Sequence, residues 1–250
     1  MTRLMENILD LYNEGGKIFS KLTEIKDIPT TITNNHNESF YYWQCLERAT
    51  MLRIDAHPDM LDWIPSNSKK NYFKELGIAN FNCAGIHSNY IYEIFWLNPH
   101  SKKRRLQDMG CNPSYVSFCN LFRRKLKTSY TLSNTIVWYF LGIESLKHGK
   151  GKILNPNKQI PINGKYFLVD IDLDGFCCNK YIYFKEENWQ SVLKFRERIN
   201  ESFNYIKNLR KPDLITITRS FGESESKRFI PKDKVKVVED YVFKRLKQIY

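Results

Sequence analysis

The sequence predicts an α/β protein with a mostly parallel central sheet and helices on both faces. Apolar runs of strand length alternate with longer segments of helical periodicity, which is the order expected of parallel βαβ units. The apolar runs are rich in Ile, Val, Tyr and Phe and lack strict polar alternation, as in strands that are covered on both faces. We therefore expect a three-layer α/β/α sandwich in which residues 1–250 form one domain.

Six segments have the composition of strands, and four have the periodicity of helices. The predicted strands are 29–32, 50–55, 92–97, 135–140, 166–172 and 214–219. The predicted helices are 39–48, part of 72–88, 186–209 and 231–249. The helix at 186–209 has apolar residues on one face, and Pro231 suits the first turn of the last helix.

The chain is basic, with 39 Lys and Arg against 27 Asp and Glu, a formal net charge of +12. Positive charge is densest at 102–105, 123–125 and 147–152. Such a surface favours acidic partners, including an acidic peptide or nucleic acid. No nucleic-acid-binding motif accompanies the charge, so we favour a solvated basic surface over nucleic-acid binding. A basic nucleic-acid-binding module stays open as the non-enzyme alternative.

Composition also bears on location. No run of about 18 apolar residues is present, so we expect no membrane span and no membrane partner. The first residues lack the basic start and apolar centre of a signal peptide. The six cysteines contain no Cys-x-x-Cys pair, and we expect all of them to be thiols in a reducing compartment. The expected location is the cytoplasm.

Two acidic clusters follow predicted strands. The first is Asp55-Ala-His57-Pro-Asp59, and the second is Asp170-Ile-Asp172-Leu-Asp174. Pro58, between His57 and Asp59, has no backbone donor, so the chain leaves the sheet there. Asp170 and Asp172 share one side of their strand by the two-residue period. Both clusters are therefore predicted at the carboxyl ends of strands, where open parallel sheets bind ligands.

Carboxylates gathered at one sheet edge need a cation to stay ionised, and the simplest cation is a metal. His36 follows the first predicted strand and completes a set of six possible ligands: His36, Asp55, His57, Asp59, Asp170 and Asp172. This set is too rich in oxygen for a structural zinc site and suits two Mn²⁺, with Zn²⁺ or Co²⁺ as possible substitutes. Each motif alone also occurs as a helix cap, a solvated turn or a Ca²⁺ or Mg²⁺ loop. Their joint occurrence favours a metal site.

The two motifs resemble those of the ureohydrolase and deacetylase superfamily, which includes arginase, agmatinase and the histone deacetylases. The Asp-Ala-His-x-Asp string is similar to the first arginase metal motif, and Asp170-Ile-Asp172 is similar to the second. A longer likeness points to the peptide arginase family, which acts in the maturation of ribosomally made peptides. It comprises segments 36–43, 54–59, 93–99, 168–175 and 215–220.

The resemblance implies an arginase-like or deacetylase-like fold and a manganese enzyme. The implied reaction converts arginine residues of a precursor peptide to ornithine and releases urea. By the same resemblance, Asp55 and Asp170 bridge two ions. His36 and Asp59 complete one ion site, and His57 and Asp172 complete the other. A hydroxide bridging the ions would attack the guanidinium carbon.

The chain departs from the arginase pattern in two places, after the second motif and at the catalytic histidine. Arginases continue their second motif with Asp-Pro, whereas this chain has Asp174-Gly175. Nothing matches the spacing of the arginase catalytic histidine. His87 is our candidate for the proton shuttle, and the alternative is a helix histidine bonded to a backbone carbonyl.

A guanidinium substrate needs an acidic or carbonyl partner. Asp174, Glu223 and Glu225 are the candidates for substrate binding. The alternative for the two glutamates is a solvated loop, and for Asp174 it is the orientation of a metal ligand. We find no residues that would hold the α-amino and α-carboxylate groups of a free amino acid, which suits a peptide substrate.

Two enzyme alternatives stay open. One is a metal-dependent amidohydrolase or deacetylase acting on a substrate such as an acyl-lysine, and the other is a ureohydrolase for a small guanidino compound. The same metal site would serve each reaction. The sequence does not identify the peptide, the arginines acted on or the oligomeric state.

Overall fold

The computed structural model describes residues 3–57, 59, 76–77, 81–97, 99, 139–141, 152–153, 159–178, 194–221 and 229–250. Its α-helices are α1 (Arg3–Glu14), α2 (His36–Trp43), α3 (Phe81–His87), α4 (Phe195–Ile206) and α5 (Lys232–Ile249). Its strands are β1 (Ser20–Ile25), β2 (Ile28–Thr33), β3 (Ala49–Ile54), β4 (Ile91–Leu97), β5 (Tyr139–Leu141), β6 (Lys152–Ile153), β7 (Phe167–Asp172) and β8 (Leu214–Thr218). Short 3-10 helices span Gly16–Ile18 and Leu173–Gly175.

The strands of the described part form one sheet in the order β1-β2-β8-β7-β3-β4-β5-β6. The edge strand β1 pairs with β2 in an antiparallel hairpin. Every other neighbouring pair is parallel. The mostly parallel sheet predicted from the sequence is therefore confirmed. The last two strands of the chain's described part, β7 and β8, lie between β2 and β3 in the sheet.

Helices cover both faces of the sheet. On one face, α4 and α5 pack against alternate residues of β7, namely Phe167, Val169 and Ile171. On the other face, residues of α1, α2 and α3 pack with Leu168 of the same strand. Burial of each such side chain stabilises the fold by roughly 1.5–3 kcal/mol. The predicted three-layer arrangement is confirmed.

The predicted strands correspond to β2, β3, β4, β7 and β8 to within about two residues, the usual uncertainty of an element boundary. The prediction at 135–140 overlaps β5, and residues 135–138 lie outside the described residues. The strands β1 and β6 and the helix α1 were not predicted. β1 is an edge strand that is mostly part-exposed, and β6 has two residues, so neither has the apolar run of a central strand.

The helix predictions need small corrections. The first begins at His36 and not at residue 39, because Glu38 accepts hydrogen bonds from the backbone N–H groups of Asn34 and Asn35 (2.9 Å each). It ends at Trp43, short of the predicted residue 48. Two other predictions fall partly outside the described residues, at 72–75, 78–80 and 186–193. Their described parts contain α3 and α4. In the described part of the chain, no helix is long and apolar enough to cross a membrane.

Gly164 precedes β7 at a close approach of two chain segments. Its N–H donates to Thr50 Oγ1 (2.8 Å), and a Cβ at this position would lie 2.3 Å from both the Arg48 carbonyl oxygen and the Thr50 nitrogen. We expect Gly164→Ala to lower the free energy of unfolding by about 1–3 kcal/mol, because backbone atoms must shift to admit the methyl group. Urea unfolding measures this loss.

The matched control is Lys165→Ala, one residue away. The Lys165 side chain is exposed. The one hydrogen bond described for it goes to the carboxylate of Glu47 (2.8 Å), which is also exposed. We expect its urea midpoint to equal that of the unaltered protein. Equal losses in the two variants would contradict a steric origin of the effect.

Candidate metal centre

The six predicted ligands come from the carboxyl ends of three strands, and Ser220 follows a fourth strand that lies between two of these. His36 begins α2 just after β2, Asp55 follows β3, Asp172 ends β7, and Ser220 follows β8. Since the sheet order is β2-β8-β7-β3, these four ends lie side by side. This is the edge where open parallel sheets bind ligands.

Hydrogen bonds and close packing hold Asp55 in place. Trp96 of β4 donates from Nε1 to the backbone carbonyl of Asp55 (2.8 Å). The 3-10 turn after β7 passes on the other side, where a Cβ at Gly175 would lie 3.0 Å from the Asp55 Cα. The absence of a side chain at Gly175 thus permits a close approach between the backbones of the two acidic motifs.

The ring of His36 lies between two carboxylates of the second motif. Nε2 is 2.7 Å from Asp170 Oδ2, and Nδ1 is 2.9 Å from Asp172 Oδ2. The side chain is buried and packs on the ring of Phe81 at a centroid distance of 4.7 Å. Burial and Arg53 act to lower the pKa of His36, but Asp170 and Asp172 outweigh them and raise it well above the usual value.

Arg53 brings a guanidinium into the same cluster, which the sequence reasoning missed. Its side chain is 1% exposed, and Nη2 donates to Asp55 Oδ2 and to Asp59 Oδ2. Nη1 donates to Asp170 Oδ2 (3.1 Å) and to Asn82 Oδ1 (3.3 Å). Burial opposes the charge of Arg53, yet the surrounding aspartates raise its pKa further above the usual value. A cation supplied by the chain therefore neutralises part of the acidic cluster.

A signal for Arg53 was present in the sequence. It stands within an apolar run, Ala-Thr-Met-Leu-Arg-Ile, that was predicted to be covered on both faces. The two-residue period of a strand places Arg53 on the side of Asp55, and register pairs it with Asp170 of β7. An arginine in such a strand is almost never buried without an acidic partner.

His57 and Asp174 form a pair at the more open side of the cluster. His57 is 17% exposed, and its Nδ1 is 3.1 Å from Asp174 Oδ2. Its backbone N–H donates to Asp55 Oδ1 (2.6 Å). Burial acts to lower the pKa of His57, but Asp174 outweighs it and the pKa rises to about 10. A carboxylate on Nδ1 is the usual support of a histidine that binds a metal through Nε2.

Asp172 and Asp174 are buried and close to other negative charge. Ser220 Oγ donates to both oxygens of Asp172 (2.5 Å each), and the Asp174 backbone N–H donates to Asp172 Oδ1 (2.9 Å). Burial and the charge of Asp55 raise the pKa of Asp172. Burial and the charge of Asp172 raise the pKa of Asp174 well above its usual value. A bound cation would favour the ionised form of both groups.

Backbone conformation at this edge is also unusual. Asp59 and Ser220 have positive φ angles of 42° and 52°. Side chains other than glycine seldom adopt this region, and such residues cluster at functional sites where the surroundings hold them. Here the holding contacts are the bond from Arg53 to Asp59 and the bonds from Ser220 to Asp172.

The described residues offer three groups of possible ligands whose donor atoms lie within 4.8 Å of one another. They are Asp55, Asp172 and Asp174; His36, Asp55 and Asp59; and His57, Asp174 and Cys178. The first group is all carboxylate and buried, which fits a hard divalent ion such as Mn²⁺. The second group also has suitable atoms, but Arg53 already contacts all three of its members.

The structure thus brings together all six predicted ligands. It places Asp174 beside them, bonded to His57. His87 is the last residue of α3, and the position of its side chain lies outside what the structure describes. Several other predicted features lie outside the described residues: Glu223, Glu225, the basic clusters at 102–105 and 123–125, and residues 147–151 of the basic cluster at 147–152. Sequence reasoning also missed Thr216, which donates to Asp170 Oδ1, and Ser220.

Comparisons with known proteins leave the family open. No protein-family model matches the chain, and no curated protein matches it. The structure is similar to that of a proclavaminate amidino hydrolase from Streptomyces clavuligerus, with a TM-score of 0.40 and 11% sequence identity. The match covers 88% of this chain and 64% of the other, so the chain spans less than two thirds of that protein's length. The buried histidine and aspartate groups described above could hold a metal ion.

Divalent metal should stabilise the fold measurably. At a free Mn²⁺ concentration about 100 times the dissociation constant, we expect about 2.7 kcal/mol of added stability, because the ion binds only the folded ligand set. Thermal unfolding with Mn²⁺ and with a chelator measures the shift. Asp172→Asn should lose most of it, since Asp172 belongs to the all-carboxylate group.

The matched control for that substitution is Asp240→Asn. Asp240 is exposed on α5 and pairs with Lys236 (2.6 Å), far in sequence from the cluster. Its variant should keep the full Mn²⁺ shift. A shift that persists unchanged in Asp172→Asn would argue against binding at this cluster.

Proposed function

We propose that the chain is a metal-dependent amidinohydrolase, a peptide arginase that converts arginine residues of a ribosomally made precursor peptide to ornithine and releases urea. The observation that supports this most is the convergence of the residues marked by the resemblance. They follow three different strands, β2, β3 and β7, and meet within hydrogen-bonding distance. Manganese is the proposed ion, with zinc or cobalt as possible substitutes.

A divalent ion held by these carboxylates would supply a hydroxide nucleophile at neutral pH. The chain's own residues position what surrounds it. Ser220 and the Asp174 N–H fix the orientation of Asp172. Asp174 holds His57 through Nδ1, which leaves Nε2 as the nitrogen able to bind the ion. The buried, water-poor setting of Asp55 and Asp170 strengthens each of these interactions.

Binding of the substrate and transfer of a proton need residues other than the metal ligands. Asp174 contacts His57 and belongs to the all-carboxylate ligand group, so we assign it to the metal site and not to the substrate. Glu223 and Glu225 follow β8 in sequence and stay our candidates for the carboxylate partner. His87 stays our candidate for the proton that reaches the leaving amine. The net charge of +12 suits a precursor peptide with an acidic segment.

Arg53 supports a second candidate function, the hydrolysis of an amide such as an acyl-lysine. A deacetylase-type site uses one ion, and Arg53 lies among the ligands of one of the two ion sites implied by the arginase resemblance. The same carboxylates would then polarise an amide carbonyl through a single ion. The two candidates differ in the bond that is broken, so product analysis separates them.

Conversion of a peptide is the direct test. We expect a co-produced peptide with an acidic leader to lose the mass of cyanamide at each converted arginine, as mass spectrometry would detect. Asp55→Asn should abolish the change, because Asp55 belongs to two of the three ligand groups. Asp240→Asn is the control and should convert the peptide normally, and circular dichroism should show that both variants fold.

Other outcomes would point elsewhere. No mass change with any arginine peptide, together with release of acetate from acyl-lysine peptides, would replace the proposal by the deacylase. Turnover of free guanidino compounds alone would indicate a small-guanidine ureohydrolase. Salt-sensitive binding to DNA or RNA that survives Asp55→Asn, with no turnover of any substrate, would favour the nucleic-acid-binding alternative.

Peptide binding should depend on ionic strength. If the basic surface recruits an acidic leader, raising salt from low to about 1 M, where the Debye length is about 3 Å, should weaken binding at least several-fold. Fluorescence anisotropy of a labelled leader peptide measures this. A peptide with its acidic residues changed to their amides should bind weakly at every salt concentration. Equal affinity for both peptides would exclude charge recruitment.

A further inference from the structure

We infer that Arg53 takes the place of one of the two implied metal ions, so that the site holds a single divalent ion beside a fixed guanidinium. The ion would be bound by Asp55, Asp172 and Asp174. This inference deepens the proposed function and depends on it in one respect, namely that the cluster binds a divalent ion.

The first step is the position of one nitrogen atom. Arg53 Nη2 contacts Asp55 Oδ2 and Asp59 Oδ2 and is 3.1 Å from His36 Nδ1. These three atoms are near neighbours, because His36 Nδ1 is 3.2 Å from Asp55 Oδ2 and 3.3 Å from Asp59 Oδ2. A divalent ion would approach each of them to about 2.0–2.2 Å. It would therefore occupy the position of Nη2, and the two cations exclude each other.

The second step is that Arg53 is anchored. It lies on β3, which is paired with β4 on one side and β7 on the other. Nη1 is bonded to Asp170 and Asn82, and the guanidinium carbon lies 5.2 Å from the ring centroid of Phe81. Rotation of the side chain away from the cluster would separate a buried charge from its partners, which is strongly unfavourable.

The third step is that one group of possible ligands, Asp55, Asp172 and Asp174, could still bind an ion beside Arg53. Asp172 and Asp174 make no hydrogen bond with Arg53 among those described, and Asp55 uses Oδ2 for Arg53 and Oδ1 for the His57 N–H. The three carboxylates are almost completely buried. Three carboxylates this close repel one another, and a hard divalent ion bound between them would neutralise that repulsion. His57 flanks it, with Nδ1 3.7 Å from Asp55 Oδ1.

One consequence concerns Asp59. In the two-ion arrangement Asp59 is a metal ligand, whereas here it is a partner of Arg53. It is also the most exposed of the site's aspartates, with a side chain 15% exposed. Loss of its charge should then leave the ion in place, while loss of Asp172 should not. The two variants separate the arrangements even if a substitution of Arg53 fails to fold.

The experiment measures metal content and the state of the metal. The full chain is loaded with Mn²⁺, freed of excess metal and analysed by mass spectrometry for manganese per chain and by electron paramagnetic resonance. We expect one ion per chain with the hyperfine pattern of an isolated Mn²⁺. Asp59→Asn should keep that ion, with affinity within about threefold of the unaltered protein, and Asp172→Asn should lose it. Arg53→Met should admit a second ion and show an exchange-coupled spectrum.

Each contrary result has a distinct meaning. Two ions per chain with a coupled spectrum in the unaltered protein would overturn this inference and leave the proposed function standing. Loss of metal in Asp59→Asn would likewise overturn it. No bound ion in the unaltered protein would overturn the inference together with the metal-dependent function. Failure of Arg53→Met to gain a second ion, when it folds, would also count against the inference.

Discussion

Charge compensation among buried aspartates is the constraint on which this structure depends. Asp55, Asp170, Asp172 and Asp174 are nearly inaccessible to water, and Asp59 is close to them. Carboxylates so placed are tolerated only with positive charge or strong donors nearby. Arg53, His36 and His57 supply part of that charge, while burial and neighbouring carboxylates raise the pKa of Asp172 and of Asp174. Among the hydrogen bonds described for Arg53, none reaches Asp172 or Asp174.

The sheet explains why these charges meet. Insertion of β8 and β7 between β2 and β3 brings together residues more than a hundred positions apart in the chain. Parallel pairing then aligns them in rows, with Arg53 beside Asp170 and Asp170 beside Thr216. On the opposite face, apolar side chains of β3, β7 and β8, among them Leu52, Val169 and Ile215, belong to the core cluster with α4 and α5. Because the apolar face stabilises the fold, the row formed by Arg53, Asp170 and Thr216 is available for binding.

How far the sequence could predict this arrangement differs from residue to residue. The apolar runs of β3 and β7 predicted strands that end at the acidic motifs, and the structure places both motifs at one sheet edge. Arg53 was not predicted to belong to the site, because the strand before Asp55 was interpreted as uniformly apolar. Ser220 and Thr216 reach their partners through strand order and register, which local patterns do not contain. The roles of His87, Glu223 and Glu225 depend on segments or side chains that the structure does not describe.

The bond from Trp96 to the Asp55 carbonyl has a practical consequence. This indole is 4% exposed and joined directly to the backbone of a central acidic residue. Its fluorescence should change when a metal ion binds to the neighbouring carboxylates, and a paramagnetic ion should quench it. The chain has five tryptophans, so replacement of the other four by phenylalanine would isolate this signal. The protein thereby contains its own optical reporter of occupancy, one that needs no attached dye.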